Sequence, residues 1–288
     1  MYVVTGITGQ VGGALARSLL ASGAPVRAVG RDAEKIAAWA RLGCETALAD
    51  YADVPALTAA LSGAEGAFIL LPPAFDPAPG NPAMLRILAA LTEAIASARP
   101  RRIVALSTIG AQATRPSLLS WLGIMERQFA TLPVPAAFLR AAWFMENAAW
   151  DVAPARETRI VRSFLQPLDR AFPMVATADI GRVAARMLRE SWEGRRIVEL
   201  EGPRRVSPND LAGAFAKTLG RPVRAERVPR ETWDSLFVAQ GMANPLPRIA
   251  MLDGFNEGWI DFESGAAGTL KGEVELETVV AELVAARG

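Results

Sequence analysis

The stretch Met1-Tyr2-Val3-Val4-Thr5-Gly6-Ile7-Thr8-Gly9-Gln10-Val11-Gly12-Gly13-Ala14-Leu15-Ala16-Arg17-Ser18-Leu19-Leu20 decides the fold. A short apolar run stops at a glycine pattern, and an amphipathic segment follows. The order is strand, glycine turn, helix. Gly6 suits the tight turn after the strand. Gly9 lets backbone approach phosphates, and Gly12 lets the helix pack closely on the strand. A helix N-terminus also offers unpaired N–H groups and partial positive charge to an anion. The spacing is G-x-x-G-x-x-G, with one residue more between the first two glycines than the usual fingerprint. We read Gly6, Thr8, Gly9, Gln10, Val11 and Gly12 as a cradle for a dinucleotide pyrophosphate.

Working outward, the first half alternates short apolar runs with amphipathic stretches. Strands are expected at 26–29, 44–48, 67–71, 102–106 and 136–139, and helices at 33–42, 54–61, 84–98 and 118–130. The run Ala67-Phe68-Ile69-Leu70-Leu71 is apolar throughout, as in a parallel strand covered on both faces. Pro72-Pro73 ends it, and a Pro/Gly-rich loop follows at 75–82. Strands alternating with helices imply βαβ units and a right-handed parallel sheet. After Arg140 the regularity fades. A β-hairpin arm is expected at 158–166, and a helix at 177–190 with Thr177 as its N-cap. A strand at 197–200 could rejoin the sheet, and another is expected at 223–228. Ser207-Pro208-Asn209-Asp210 resembles a capping box, and the tail reads as mostly helical. The expectation is an α/β doubly wound parallel sheet at 1–150 with a smaller mixed lobe at 151–288, the segment 176–200 returning to the sheet.

Composition narrows the chemistry. The chain has 288 residues and is 51% hydrophobic, enough for a substantial core. Its 31 basic and 30 acidic residues nearly cancel, so no general attraction to nucleic acid or acidic membranes is implied. Histidine is absent, which removes imidazole acid–base chemistry and the commonest zinc ligand. Cys44 is the only cysteine, so an intrachain disulfide is impossible and a metal site is not expected. No signal peptide and no run of ~20 unbroken apolar residues is visible; the expectation is a cytoplasmic protein, monomeric or homodimeric.

Further segments carry a family resemblance. Leu106-Ser107-Thr108-Ile109-Gly110-Ala111, Leu139-Arg140-Ala141-Ala142-Trp143-Phe144-Met145-Glu146-Asn147, Thr177-Ala178-Asp179-Ile180-Gly181-Arg182-Val183-Ala184 and Leu200-Glu201-Gly202-Pro203 join the glycine turn and Pro72-Pro73 in this. Together they resemble the NmrA-like family of atypical short-chain dehydrogenase/reductases, closest to its NAD(P)H-dependent quinone oxidoreductase-like branch. The resemblance implies a Rossmann domain, a small C-terminal lobe and a substrate cleft between them. It also implies that Asp50 lies near the adenine; the alternative is a helix cap or surface turn. Ala141-Ala142 stands where the family usually reads Pro-Gly.

Cofactor choice turns on the end of the second strand. Arg31, followed by Lys35 one helical turn later, favours a 2′-phosphate and hence NADP(H), with NAD(H) possible. The alternative leaves Arg31 solvated and Asp32 capping the next helix. Leu70, Leu71 and Pro72 end the fourth strand and should run beside the cofactor, because strand carboxyl ends line the crevice. The Tyr-x-x-x-Lys pair of typical short-chain reductases is missing: Pro55 stands four residues after Tyr51, and the helix after the fifth strand reads Trp121-Leu122-Gly123-Ile124-Met125-Glu126. Loss of a positioned acid is severe for a ketone, whose reduction makes a basic alkoxide, and mild for a quinone, which yields a weakly basic hydroquinone anion. Thr108 could address the acceptor oxygen or bond to backbone. Glu126 is a candidate proton source, with a solvated helix face as the favoured reading. Trp143, Phe144 and Met145 could wall a flat ring, Asn147 could orient its carbonyl, and Phe75 could close over it. The expected activity is hydride transfer from NADPH to a quinone-like or enone acceptor. The alternative is a non-catalytic dinucleotide sensor that regulates a protein partner.

Overall fold

The computed structural model of the protein describes residues 1–286. These form strands β1 (Tyr2–Thr5), β2 (Val26–Gly30), β3 (Glu45–Leu48), β4 (Gly66–Ile69), β5 (Ile103–Thr108), β6 (Ala136–Ala141), β7 (Trp143–Phe144), β8 (Ile160–Ser163), β9 (Met174–Val175), β10 (Arg195–Glu201), β11 (Arg224–Arg227) and β12 (Leu270–Lys271). The helices are α1 (Gln10–Ala21), α2 (Ala33–Ala40), α3 (Val54–Leu61), α4 (Pro82–Ala98), α5 (Ser120–Phe129), α6 (Val152–Glu157), α7 (Thr177–Arg189), α8 (Pro208–Leu219), α9 (Trp233–Ala239), α10 (Leu246–Glu257), α11 (Gly265–Gly268) and α12 (Leu276–Ala286).

Eight strands make one sheet in the order β12-β10-β6-β5-β4-β1-β2-β3, every pair parallel. The order reverses between β1 and β4, which opens a crevice at their carboxyl ends. Side chains alternate strictly between two buried layers. Val4, Phe68, Val104, Ala137 and Leu139 join the core that contains α1 and α7 residues. Val3, Ala67, Ile69, Ile103, Ala105 and Phe138 join the core that contains α3, α4 and α5 residues. A strand covered on both faces needs apolar residues at every position, hence the unbroken run at 67–71.

The C-terminal half departs from expectation in two places. Residues 158–166 do not form a hairpin. Ile160–Ser163 instead pairs in parallel with Arg224–Arg227, with α8 between them in the chain. A parallel pair needs a long crossover, so no local turn could announce it. Thr177 is not an N-cap: Ala176 holds that position, and Thr177 donates from its N and Oγ1 to Glu146 Oε1 at 2.7 and 2.6 Å. A carboxylate 31 residues upstream thus does the capping. The capping box at Ser207 and Asp210 does form, and β10 lies beside β6.

Helices α1 and α7 meet at backbone distance. A Cβ added to Gly181 would lie 2.6 Å from both Ala14 Cβ and Leu15 N. Gly181→Ala therefore lowers the Tm by roughly 5 °C, the effect of an overpacked helix contact in a chain of this size. Gly213→Ala in α8, where a Cβ meets open space, raises stability by about 0.5–1 kcal/mol through helix propensity alone. Calorimetric melting of the pair checks both signs.

Candidate active site

The crevice begins at the glycine turn. Gly6 has φ +63°, which only glycine adopts without strain, and its carbonyl accepts from Gly9 N at 3.0 Å. A Cβ on Gly12 would fall 2.3 Å from Gly6 O, and one on Gly6 would fall 2.4 Å from Leu70 Cδ2. A side chain at either position would force the turn away from α1 or from Leu70. Gly9 is the N-cap of α1 and provides no side-chain acceptor, and the first turn holds no acidic residue. By contrast, Asp32 caps α2 and Asp53 caps α3. The N–H groups of Gln10, Val11 and Gly12 are left for an external anion. Thr8, Gly9 and Gln10 are exposed at the tip. An anionic pyrophosphate fits this mouth.

Thr5 fixes the neighbouring strand end. Its Oγ1 donates to Phe68 O and accepts from Leu70 N, both at 3.0 Å. The Tyr51 hydroxyl donates to Leu70 O at 2.5 Å, and burial pushes its phenol upward. Leu70 is thereby held against Gly6, with buried Leu71 and half-buried Pro72 following. At the end of β2, Arg31 is exposed and makes no hydrogen bond or ion pair among the described residues. Lys35 is drawn to Asp32 at 3.4 Å, while Asp32 accepts from Glu34 N and Lys35 N. The Asp50 carboxylate accepts from Ala52 N at 3.0 Å, a turn contact. The charges of Arg31 and Asp50 both act on Tyr51, whose hydroxyl bonds Leu70 O.

A cavity of about 500 Å³ is bounded by the segment after β6, by β8, and by α9 and α10. Trp143, Phe144, Met145 and Asn147 all line it. Trp143 is braced edge-on by Phe255 at 5.4 Å, and Phe164 packs on Trp233 and Phe237 at 5.5 and 5.1 Å. Phe75 is exposed and meets Trp150 of the cavity wall edge-on at 6.4 Å. Its loop is pinned by Asp76, which accepts from Ala243 N and Asn244 N at 2.8 and 2.7 Å. Thr108 is a buried residue at the end of β5 whose hydroxyl makes no hydrogen bond among the described residues, and it is not on the cavity wall.

Two wall residues escaped sequence reasoning. Asp151 has no hydrogen bond or ion pair among the described residues, and burial alone pushes its carboxyl up to about 7. Arg248 is stacked over Phe237 and Trp150, at 4.5 and 5.9 Å from their centroids. Its only hydrogen bond among the described residues is to Met242 Sδ at 3.8 Å, and burial lowers its pKa. One signal for Asp151 was legible: a lone acid inside Ala148-Ala149-Trp150-Asp151-Val152-Ala153.

Glu126 corrects the reading of a solvated face. It is buried, accepts from Ser107 Oγ at 2.5 Å, and forms a two-pronged pair with Arg140 at 2.9 and 2.7 Å. Burial opposes the Arg140 charge, but Glu126, Glu263 and Glu199 outweigh that and raise its pKa above the ordinary value. The cluster ties α5, β5, β6 and β10 together, leaving Glu126 no exposed proton to deliver.

A parallel sheet reversing at β1/β4, with a glycine-only helix mouth in the crevice, defines a dinucleotide-fold protein of Rossmann type. Residues 2–266 match the NmrA-like family, and the chain belongs to it. It is 27% identical to the NAD(P)H azoreductase of Xenophilus azovorans over 85% of this chain and 83% of that one. It is 26% identical to quinone oxidoreductase 2 of Escherichia coli (strain K12) over 93% of this chain and 88% of that one. The solved structure of the Citrobacter sp. triphenylmethane reductase complexed with NADP(H) superposes with a TM-score of 0.80 at 21% identity, covering 98% of this chain and 99% of that one. Among the described residues no helix is long and apolar enough to cross a membrane, and no acidic or cysteine cluster could hold a metal.

The Asp151 carboxyl sits at about 7 in the fold and near ~3.9 in the unfolded chain. Between those values the folded state keeps a proton that the unfolded state has released. Stability from this group is complete below about pH 4 and is lost as pH rises to about 7. Asp151→Asn removes the dependence, so its stability relative to the native chain improves from pH 4 to 8, by up to about 4 kcal/mol. Melting curves with a constant offset across that range would show that Asp151 is not holding its proton.

Proposed function

We propose that the protein catalyses NADPH-dependent reduction of a quinone-like or enone acceptor seated in the ring-lined cavity. The observation that carries this reading is the uncapped, glycine-walled mouth of α1 in one chain with an apolar cavity of ligand size. The related azoreductase and quinone oxidoreductase support it. When bound, the coenzyme supplies a hydride. The N–H groups of Gln10, Val11 and Gly12 would hold its pyrophosphate, Arg31 a 2′-phosphate, and Leu70, Leu71 and Pro72 would flank it. Asp50 would lie toward the adenine, as the family resemblance implies.

Trp143, Phe144 and Met145 would position a flat acceptor, with Asn147 on its carbonyl and Phe75 over the entrance. Positioning alone can remove ~7–11 kcal/mol from a bimolecular barrier. Thr108, at the end of β5 and off the cavity wall, would reach the acceptor only from the coenzyme side of the crevice. Asp151 lies on the same cavity wall, where burial raises its carboxyl to about 7. A ring-lined cavity with an unpaired acid suits turnover better than the sensing alternative.

Absorbance at the reduced-nicotinamide band tests the reading. Quinones should turn over at least about 100-fold faster than simple ketones, the span of one missing general acid. Arg31→Ala should raise the KM for NADPH about 10–30-fold, one lost charge-assisted pair, and leave that for NADH within about 3-fold. Equal loss for both coenzymes removes Arg31 from the 2′-phosphate. No oxidation of either coenzyme with any acceptor moves the protein to the sensor class.

A further inference from the structure

Among the described residues, the charges on the cavity wall lack the ion pairs that most other half-buried arginines make. Arg140 meets Glu126, Glu199 and Glu263. Arg205 meets Glu201 and Asp261, and Arg230 meets Asp253. The half-buried Arg102 donates to the carbonyls of Leu188 and Glu190. Arg248 has no oxygen partner among the described residues. Its half-buried guanidinium lies over Phe237 and Trp150. Aromatic faces return only part of the lost hydration of a cation. A guanidinium kept this way is ready to pair with an incoming anion in a site where water screens poorly.

The rest of the wall fits the same ligand. Trp143, Phe144 and Phe164 supply apolar ring surface. The other charged groups lining the cavity are Asp151, just before α6, and Arg162 on β8, which is exposed. Neither pairs with Arg248, and Asp151 pairs with neither arginine. With Asp151 protonated, the cavity carries net positive charge.

We propose that Arg248 is a specificity-determining residue and that the cavity takes a flat aromatic acceptor bearing one anionic substituent, a sulfonate or carboxylate, which Arg248 binds. This rests on the reading of the cavity as the acceptor site. Ionisation of Asp151 adds a second anion to the same space, so affinity for the charged ligand falls as pH rises through about 7.

Equilibrium binding to the full chain, followed by tryptophan fluorescence and calorimetry, tests it without turnover. The probes are naphthalene-2-sulfonate and its uncharged analogue naphthalene-2-sulfonamide, which share a ring and differ in charge. The native chain should bind the sulfonate at least about 10-fold more tightly at pH 6, the scale of one charge-assisted pair. Arg248→Met should abolish the preference and leave the sulfonamide affinity within about 3-fold, which also shows that the cavity is intact. Arg248→Lys should keep part of the preference. Sulfonate affinity should decline from pH 6 to 8 in the native chain and stay level in Asp151→Asn. No preference in the native chain, or a preference that survives Arg248→Met, overturns the proposal. If neutral quinones are reduced but the sulfonate is not preferred, this inference alone fails. If the sulfonate is preferred but no acceptor is reduced, the anion site stands and the proposed activity fails.

Discussion

The close approach of α1 to the end of β1 is the constraint on which the molecule turns. Gly12 sits where a Cβ would be 2.3 Å from Gly6 O, so helix and strand meet backbone to backbone. This aims the first turn of α1 at the crevice with no side chain in the way. The same closeness continues on the other face of the helix, where Gly181 brings α7 against Ala14 and Leu15. Because α7 is anchored there, β10 can follow it back into the sheet beside β6. Glu146 then caps α7 from the loop that also carries Trp143, Phe144 and Asn147. The mouth of α1 is thus tied to the cavity wall through α7, by the Gly181 contact at one side and the Glu146 cap at its N-terminus.

The fold treats its buried charges in two ways. Most structural charges are paired, while Glu146, which caps α7 through Oε1, keeps its buried Oε2 without a partner among the described residues. Asp179 is fully buried and accepts from Glu273 N and Val274 N at 2.9 and 3.0 Å. Glu201 is likewise fully buried and meets Lys271 and Arg205. Glu126 and Glu199 share Arg140. Such clusters cost about as much desolvation as they return in attraction, and their worth lies in fixing which elements adjoin. Asp151 and Arg248 have no charged partner among the described residues, and both lie on one cavity. Unpaired charge in apolar surroundings destabilises a fold, so its concentration at one place marks where the protein meets something other than itself.

The relation to known proteins fits this division. The family match spans residues 2–266, which includes the glycine turn, the sheet and the loop from Trp143 to Asn147. Ala141-Ala142, the departure from the usual Pro-Gly, lies in regular backbone: Ala141 O accepts from Ile109 N and Ala142 N donates to Leu200 O, each at 2.9 Å. The chain therefore turns into the cavity wall without the special residues at that corner.

What the sequence by itself determined follows from local rules. The glycines at 6, 9 and 12, the unbroken apolar run at 67–71 and the capping box at Ser207 each act within a few residues, so strand, turn and helix order could be read directly. The positions of Trp143, Phe144, Met145 and Asn147 on one wall were legible in part, because the four lie close together in the chain. Tertiary structure alone decided the rest. It paired Ile160–Ser163 with Arg224–Arg227, gave Thr177 its cap from Glu146, and buried Glu126 on Arg140. It also raised the Asp151 carboxyl and left Arg248 without a counter-ion. Backbone conformation depends on a residue and its immediate neighbours, whereas desolvation and ion pairing depend on whatever distant chain is folded against it.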